Sequence, residues 1–286
     1  MVNHRFMWLK AACITCLLSI FSSASADEKR PKITLAGPIA SVSNPLLRMV
    51  SSGALADITD NLTFELWRTP DQMRAMSING NVDFIATPTN VAANLYNRGT
   101  DIRLLNVSVW GILWMVSRDS TLNTIADFKD KEIAMPFRGD MPDIIFSTLA
   151  KASGLSPKND FHLRYVASPL DAMQLLIMRR VDHALLAEPA ISMALRKTQS
   201  FPVSVIAPDL YRSVDLQDEW GRLLKRKHSI PQAGMAVLNS ALSSYEIKRF
   251  NDEYKKAIKH FQQAIKGSIP HQPIYWTCRY MKGDAH

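Results

Sequence analysis

The sequence predicts an α/β protein of two similar lobes, each a mainly parallel sheet flanked by helices, with a ligand cleft between the lobes. Three observations carry this expectation. At 286 residues the chain is long enough to build two cores. Short apolar or alternating runs alternate with helix-length segments, the pattern of β-α-β units. That pattern occurs twice in one order, about a hundred residues apart, beginning at Ile33 and again at Glu132.

In chain order, segment 1–26 reads as a cleavable signal peptide. Arg5 and Lys10 supply positive charge, 11–21 is apolar, and Ala24, Ser25 and Ala26 form an A-x-A cleavage site. The apolar run falls well short of the ~20 residues that span a bilayer. Cys13 and Cys16 leave with this peptide, so only Cys278 remains and no internal disulfide can form. Losing Arg5 and Lys10 takes the formal charge from +8 to +6 (8 − 2). The densest basic cluster, Arg222, Lys225, Arg226 and Lys227, has no interleaved aromatic residues, so it reads as a solvated helix face and no nucleic acid is expected.

In the first copy, Ile33, Thr34 and Leu35 form a strand, 37–44 is a loop, and Pro45 opens a helix running to about Ile58. Residues 62–66 alternate with period two and read as a half-buried strand. Thr69 caps the next helix, with Pro70 at its first position, and that helix ends near Gly80. Strand 82–86 follows, and Thr87 and Pro88 start another helix. The second copy repeats the order: strand 132–135, loop 136–141, and a helix opened by Pro142. Strand 161–166 leads to the Ser168-Pro169 cap, and a strand opened by Val181 and Asp182 is closed by Glu188 and Pro189. The apolar stretch 102–116 joins the copies.

Open parallel sheets bind ligands beyond the carboxyl ends of their strands, where helix N-termini begin. Two facing lobes of this kind enclose a cleft, the preferred site for a small molecule. No Gly-x-Ser-x-Gly elbow, phosphate loop or paired-histidine motif is present, so binding rather than catalysis is expected, with no catalytic residue, metal or cofactor.

Three phrases resemble a known family: Val82-Asp83 to Thr87-Pro88, the run 122–131 (LNTIADFKDK), and Val181-Asp182 to Glu188-Pro189. Together they resemble the substrate-binding components of ABC importers in the NMT1/THI5-like group, binders of sulfonates, taurine, nitrate and thiamine precursors. The resemblance covers roughly 33–205. Asp130, followed by Lys131, stands where the family usually has Gly, and Arg179-Arg180 replace a Gly before Val-Asp.

This resemblance implies a type II periplasmic binding protein fold, in which the chain crosses between lobes twice. The crossings are expected within 109–117 and near 203–208. Lobe 1 is then 27–113 plus 207–286, lobe 2 is 114–206, and helix 243–266 packs on lobe 1. The implied function is capture of a small organic or anionic solute by hinge closure, with delivery to an ABC permease and its ATPase. The alternatives are a periplasmic sensing subunit and an enzyme of the same fold. The expected protein is a periplasmic monomer that meets the membrane only through its permease.

Candidate ligand contacts follow from the loops. Ser41, Ser43 and Asn44 lie in the first loop, where Asn44 could instead cap the helix before Pro45. Thr87, Thr89 and Asn90 follow a strand end. Trp110 and Trp114, four apart, would share one face of a strand and could stack on a planar ligand. In the second loop Arg138 could grip an anion, with Gly139 allowing close approach and Asp140 as its neighbour or partner. Glu188 ends an apolar run, where a carboxylate needs a partner, either a ligand amine or a helix N-terminus.

Overall fold

A computed structural model describes residues 29–206 and 209–268. The expected signal peptide, Cys278 and part of the expected second crossing lie outside the described residues.

The first repeat folds as β1 (Ile33–Gly37), α1 (Asn44–Ser51), β2 (Leu62–Leu66), α2 (Pro70–Ile78), β3 (Phe84–Pro88), α3 (Thr89–Asn97) and β4 (Arg103–Trp110). The second folds as β5 (Leu113–Ser117), β6 (Glu132–Pro136), α4 (Met141–Ala152), β7 (His162–Val166), α5 (Pro169–Ile177), β8 (His183–Ala187) and α6 (Ala190–Thr198). A short α7 (Val203–Ile206), β9 (Tyr211–Asp215), α8 (Leu216–Leu224), β10 (Pro231–Val237) and the long α9 (Ser244–Ser268) follow among the described residues.

Two five-stranded sheets result, ordered β2-β1-β3-β10-β4 and β7-β6-β8-β5-β9. The matched registers show the repeat in three dimensions. Ile33 pairs with Leu62 and Leu35 with Phe84 in one sheet; Glu132 pairs with His162 and Ile133 with His183 in the other. These pairings are parallel, as β-α-β connections require. Each sheet then adds two antiparallel pairings, β10 with β3 and β4, and β5 with β8 and β9, so the sheets are mixed.

The first crossing falls at Gly111 and Ile112, between β4 and β5. Gly111 takes φ +64°, and a Cβ there would stand 2.1 Å from the Gln217 side chain, so this turn requires glycine. The return near 203–208 is corrected. Tyr211–Asp215 pairs with β5 as an edge strand of the second sheet, and the chain rejoins the first sheet only at Pro231. The physical reason is that β5, brought out of the first lobe, leaves one edge open, and β9 covers it. The first helix also stops earlier than its apolar run, at Ser51, and passes through turns in which Leu55 takes φ +70°.

Each sheet is covered on both faces. In the first lobe, Phe250 of α9 stacks on Phe84 of β3 with centroids 3.8 Å apart. Tyr254 is fully buried, its hydroxyl 2.9 Å from Ser108 Oγ and donating to Val42 O at 3.1 Å. The C-terminal helix thus packs on the first lobe as expected. In the second lobe Phe146, Phe161, Ile133 and Met135 fill one face, and Met173, Leu176, Leu186 and Ile191 the other.

Candidate functional site

A cavity of about 100 Å³ lies between the lobes, at the carboxyl ends of all six parallel strands. The first lobe contributes Pro38, Ile39, Ala40 and Val42 after β1, Trp67 after β2, and Ala86, Thr87 and Pro88 at the end of β3. The second contributes Phe137, Met141 and Pro142 after β6, Pro169 after β7, and Ala187 at the end of β8. Val109, Ile112 and Leu113 of the first crossing and Gln232 and Ala233 of β10 complete the wall. Helix starts surround this wall because Asn44-Pro45, Thr69-Pro70, Met141-Pro142 and Ser168-Pro169 stop strand-like backbone and pre-set helical φ.

The lining is almost wholly apolar. Trp67 is buried and its indole N–H donates to Ala86 O at 3.2 Å, which turns the ring's apolar surface to the cavity. Thr87 donates its hydroxyl weakly to Met73 Sδ at 3.4 Å or to Pro88 O at 3.3 Å. Gln232 sits in a β-bulge, where the register against β4 slips between Pro231 and Ala233. A bulge re-aims side chains, and here the two successive residues Gln232 and Ala233 both line the cavity. Gln232 is 4% exposed and its Nε2 has no hydrogen-bond partner.

Of the residues singled out from sequence, Thr87 lines the cavity; the others surround it or lie elsewhere. Ser41 and Ser43 are buried in the bordering loop, with hydroxyls that have no partner. Gly37 makes room for Ser43, since a Cβ at Gly37 would stand 2.3 Å from its Oγ. Asn44 does not cap α1; Ser43 holds that position, without a side-chain cap bond. Thr89 donates to Pro231 O at 2.9 Å, tying α3 to β10. Asn90 is half-buried and helps to lower the pKa of the Asp140 carboxyl against the effect of burial.

Trp110 and Trp114 do not share a strand face, because Gly111 ends β4 before Leu113 starts β5. Trp110 donates its indole N–H to Val107 O at 2.9 Å, and Trp114 lies 5.5 Å beneath the Arg212 guanidinium. Arg138 is exposed and stacks over Tyr165 at 5.0 Å, outside the cavity wall. Gly139, at φ +74°, donates its N–H to Asp143 Oδ2 at 2.8 Å. Asp140 is buried and accepts two bonds from Arg74 Nη2, at 2.8 and 3.0 Å. Since Arg74 belongs to α2 and Asp140 precedes α4, this ion pair joins the lobes. Burial pushes the Asp140 carboxyl above its ordinary pKa, and Arg74 pulls it back. Glu188 is also buried, and accepts from Ser192 N and Oγ, each at 3.1 Å, and from Arg212 at 2.7 Å.

Sequence reasoning missed Gln232 and Trp67. Gln232 lies beyond the stretch carrying the family resemblance; its one signal is a polar residue within the run Ile230, Pro231, Ala233. Trp67 follows the alternating strand by one residue, where its facing depends on how β2 ends.

This arrangement defines a class. Two α/β lobes, two chain crossings and a cavity at the strand ends make the fold of the two-lobed periplasmic binding proteins. No family model and no curated protein matches the chain. Among solved structures, an ABC transporter protein from Parabacteroides distasonis aligns with TM-score 0.62 at 21% identity, over 83% of this chain and 76% of its own. The periplasmic aliphatic sulphonate binding protein from Escherichia coli aligns with TM-score 0.60 at 14% identity, over 85% and 77%. A histidine kinase sensor domain similar to periplasmic binding proteins aligns with TM-score 0.53 at 17% identity, over 84% and 96%. No helix among the described residues is long and apolar enough to cross a membrane.

Proposed function

We propose that the chain is an extracytoplasmic solute-binding protein, exported through segment 1–26. It captures one small molecule by closing its lobes and delivers it to an ABC permease and its ATPase, acting as a monomer. The observation that carries this reading is the cavity itself, walled by both lobes at six parallel strand ends. A solute held by walls from both lobes would favour the closed arrangement, which links occupancy to shape. The likeness to import-system binding proteins supports the same reading. A second reading, a sensing subunit that reports occupancy to a signalling partner, is favoured by the likeness to the sensor domain.

The test has two parts. A fraction of the growth medium that binds the folded chain raises its melting temperature, adding about 2.7 kcal/mol at a hundredfold excess over Kd. Uptake of the active solute is then measured in cells with and without the gene. Loss of uptake supports delivery; intact uptake with lost ligand-dependent transcription transfers the chain to sensing.

A further inference from the structure

Resting on the solute-binding reading, we propose that the cleft takes an uncharged, compact and largely apolar molecule, about one ring in size, that offers one hydrogen-bond acceptor to Gln232.

Among the described residues, no ionisable side chain lines the cavity. An ionised ligand would leave water for an apolar wall without a counter-charge, a transfer that is very costly. Arg74 and Arg138, two cations on cleft-side elements, do not line the cavity. Arg74 is held by Asp140 across the lobes, and Arg138 lies over Tyr165. The N-terminus of α4, a natural place for an anion, carries two of this chain's own acids, whose charge opposes a second anion there even though Asp140 makes no side-chain cap bond. Asp140 is its N-cap residue, and buried Asp143 takes the Gly139 N–H and the Tyr165 hydroxyl, at 2.8 and 3.2 Å. Pro142 and Pro169, which face the cavity from the first turns of α4 and α5, have no N–H to offer.

Gln232 supplies a specific contact. A buried amide donor without a partner is expensive, and a ligand acceptor removes that cost. Size sets the rest: a dry apolar cavity of roughly 150 Å³ holds benzene, and this one is about 100 Å³ before any adjustment of the lobes.

The test uses the full-length chain and four probes built on one ring: benzamide, toluene, benzoate and benzenesulfonate. Affinities are read by calorimetry and by the fluorescence of the cavity residue Trp67. Benzamide is expected to bind at least about tenfold tighter than either anion. Gln232→Met is expected to weaken benzamide about tenfold and to leave toluene within about twofold, which also reports that the variant folds. Tighter binding of benzoate or benzenesulfonate overturns the proposal and leaves the solute-binding reading standing. An unchanged benzamide affinity in Gln232→Met overturns it as well. Silence toward all four probes overturns it alone if a growth-medium fraction still shifts the melting temperature, and overturns the solute-binding reading too if none does.

Discussion

His183 is a buried imidazole in the middle of the second lobe, and its charge state follows from its neighbours. Its Nδ1 lies 2.9 Å from Ser117 Oγ, and its ring meets Phe128 edge-on at 5.4 Å. Burial lowers its pKa below 6.5 and Lys131 adds to the effect, while Asp182 and Asp119 oppose it. The unfolded chain therefore takes up this proton at a higher pH than the folded one. Stability from the neutral ring is fully present above about pH 6.5 and is lost as pH falls through the depressed folded value. We expect His183→Gln to lose less of its urea midpoint than the unmodified chain between about pH 7.5 and about pH 5. Equal losses would remove His183 as a source of acid sensitivity. Glu188 marks how far a single residue can be read. Its apolar surroundings in sequence demand a partner; the following helix N-terminus supplies one through Ser192, and the other, Arg212, lies 24 positions later on a strand whose place only folding reveals.

At the scale of elements, the two repeats carry the same device. Thr69 Oγ1 accepts from Gln72 N and Ser168 Oγ from Asp171 N, each at 3.2 Å, with proline next in line. Thr69→Ala and Ser168→Ala should each cost about 1 kcal/mol in urea unfolding. The caps belong to different lobes and share no partner, so the double variant should cost about the sum. A double loss well below that sum would mean that the lobes do not unfold as one unit. These caps were legible because a hydroxyl followed by proline acts through backbone atoms a few residues away. The break between β4 and β5 was not, because its reason is the Gln217 side chain packed against Gly111 from a distant helix.

For the whole molecule, the Arg74–Asp140 pair is a charged contact between the lobes. The Asp140 side chain is 4% exposed and that of Arg74 is 37% exposed, so the pair falls between surface and buried cases. Arg74→Ala leaves a buried carboxylate without its cation in the closed form, at a cost of about 1–2 kcal/mol, or roughly tenfold toward open lobes. Small-angle scattering should show a larger radius of gyration for Arg74→Ala without ligand. An unchanged radius would mean that apolar contacts alone hold the lobes.

Local chemistry determined much of this protein: which segments alternate as strands and helices, where prolines and hydroxyls start the helices, and that the unit occurs twice. From these follow two lobes and a cleft at strand ends, because such patterns act within a few residues. Tertiary structure decided which side chains face the cleft. Arg138 turns out to Tyr165, Asp140 pairs across the lobes with Arg74, and a bulge in β10 turns Gln232 inward. Each of these depends on a partner tens to more than a hundred residues away, and a side chain's direction is fixed only when that partner arrives.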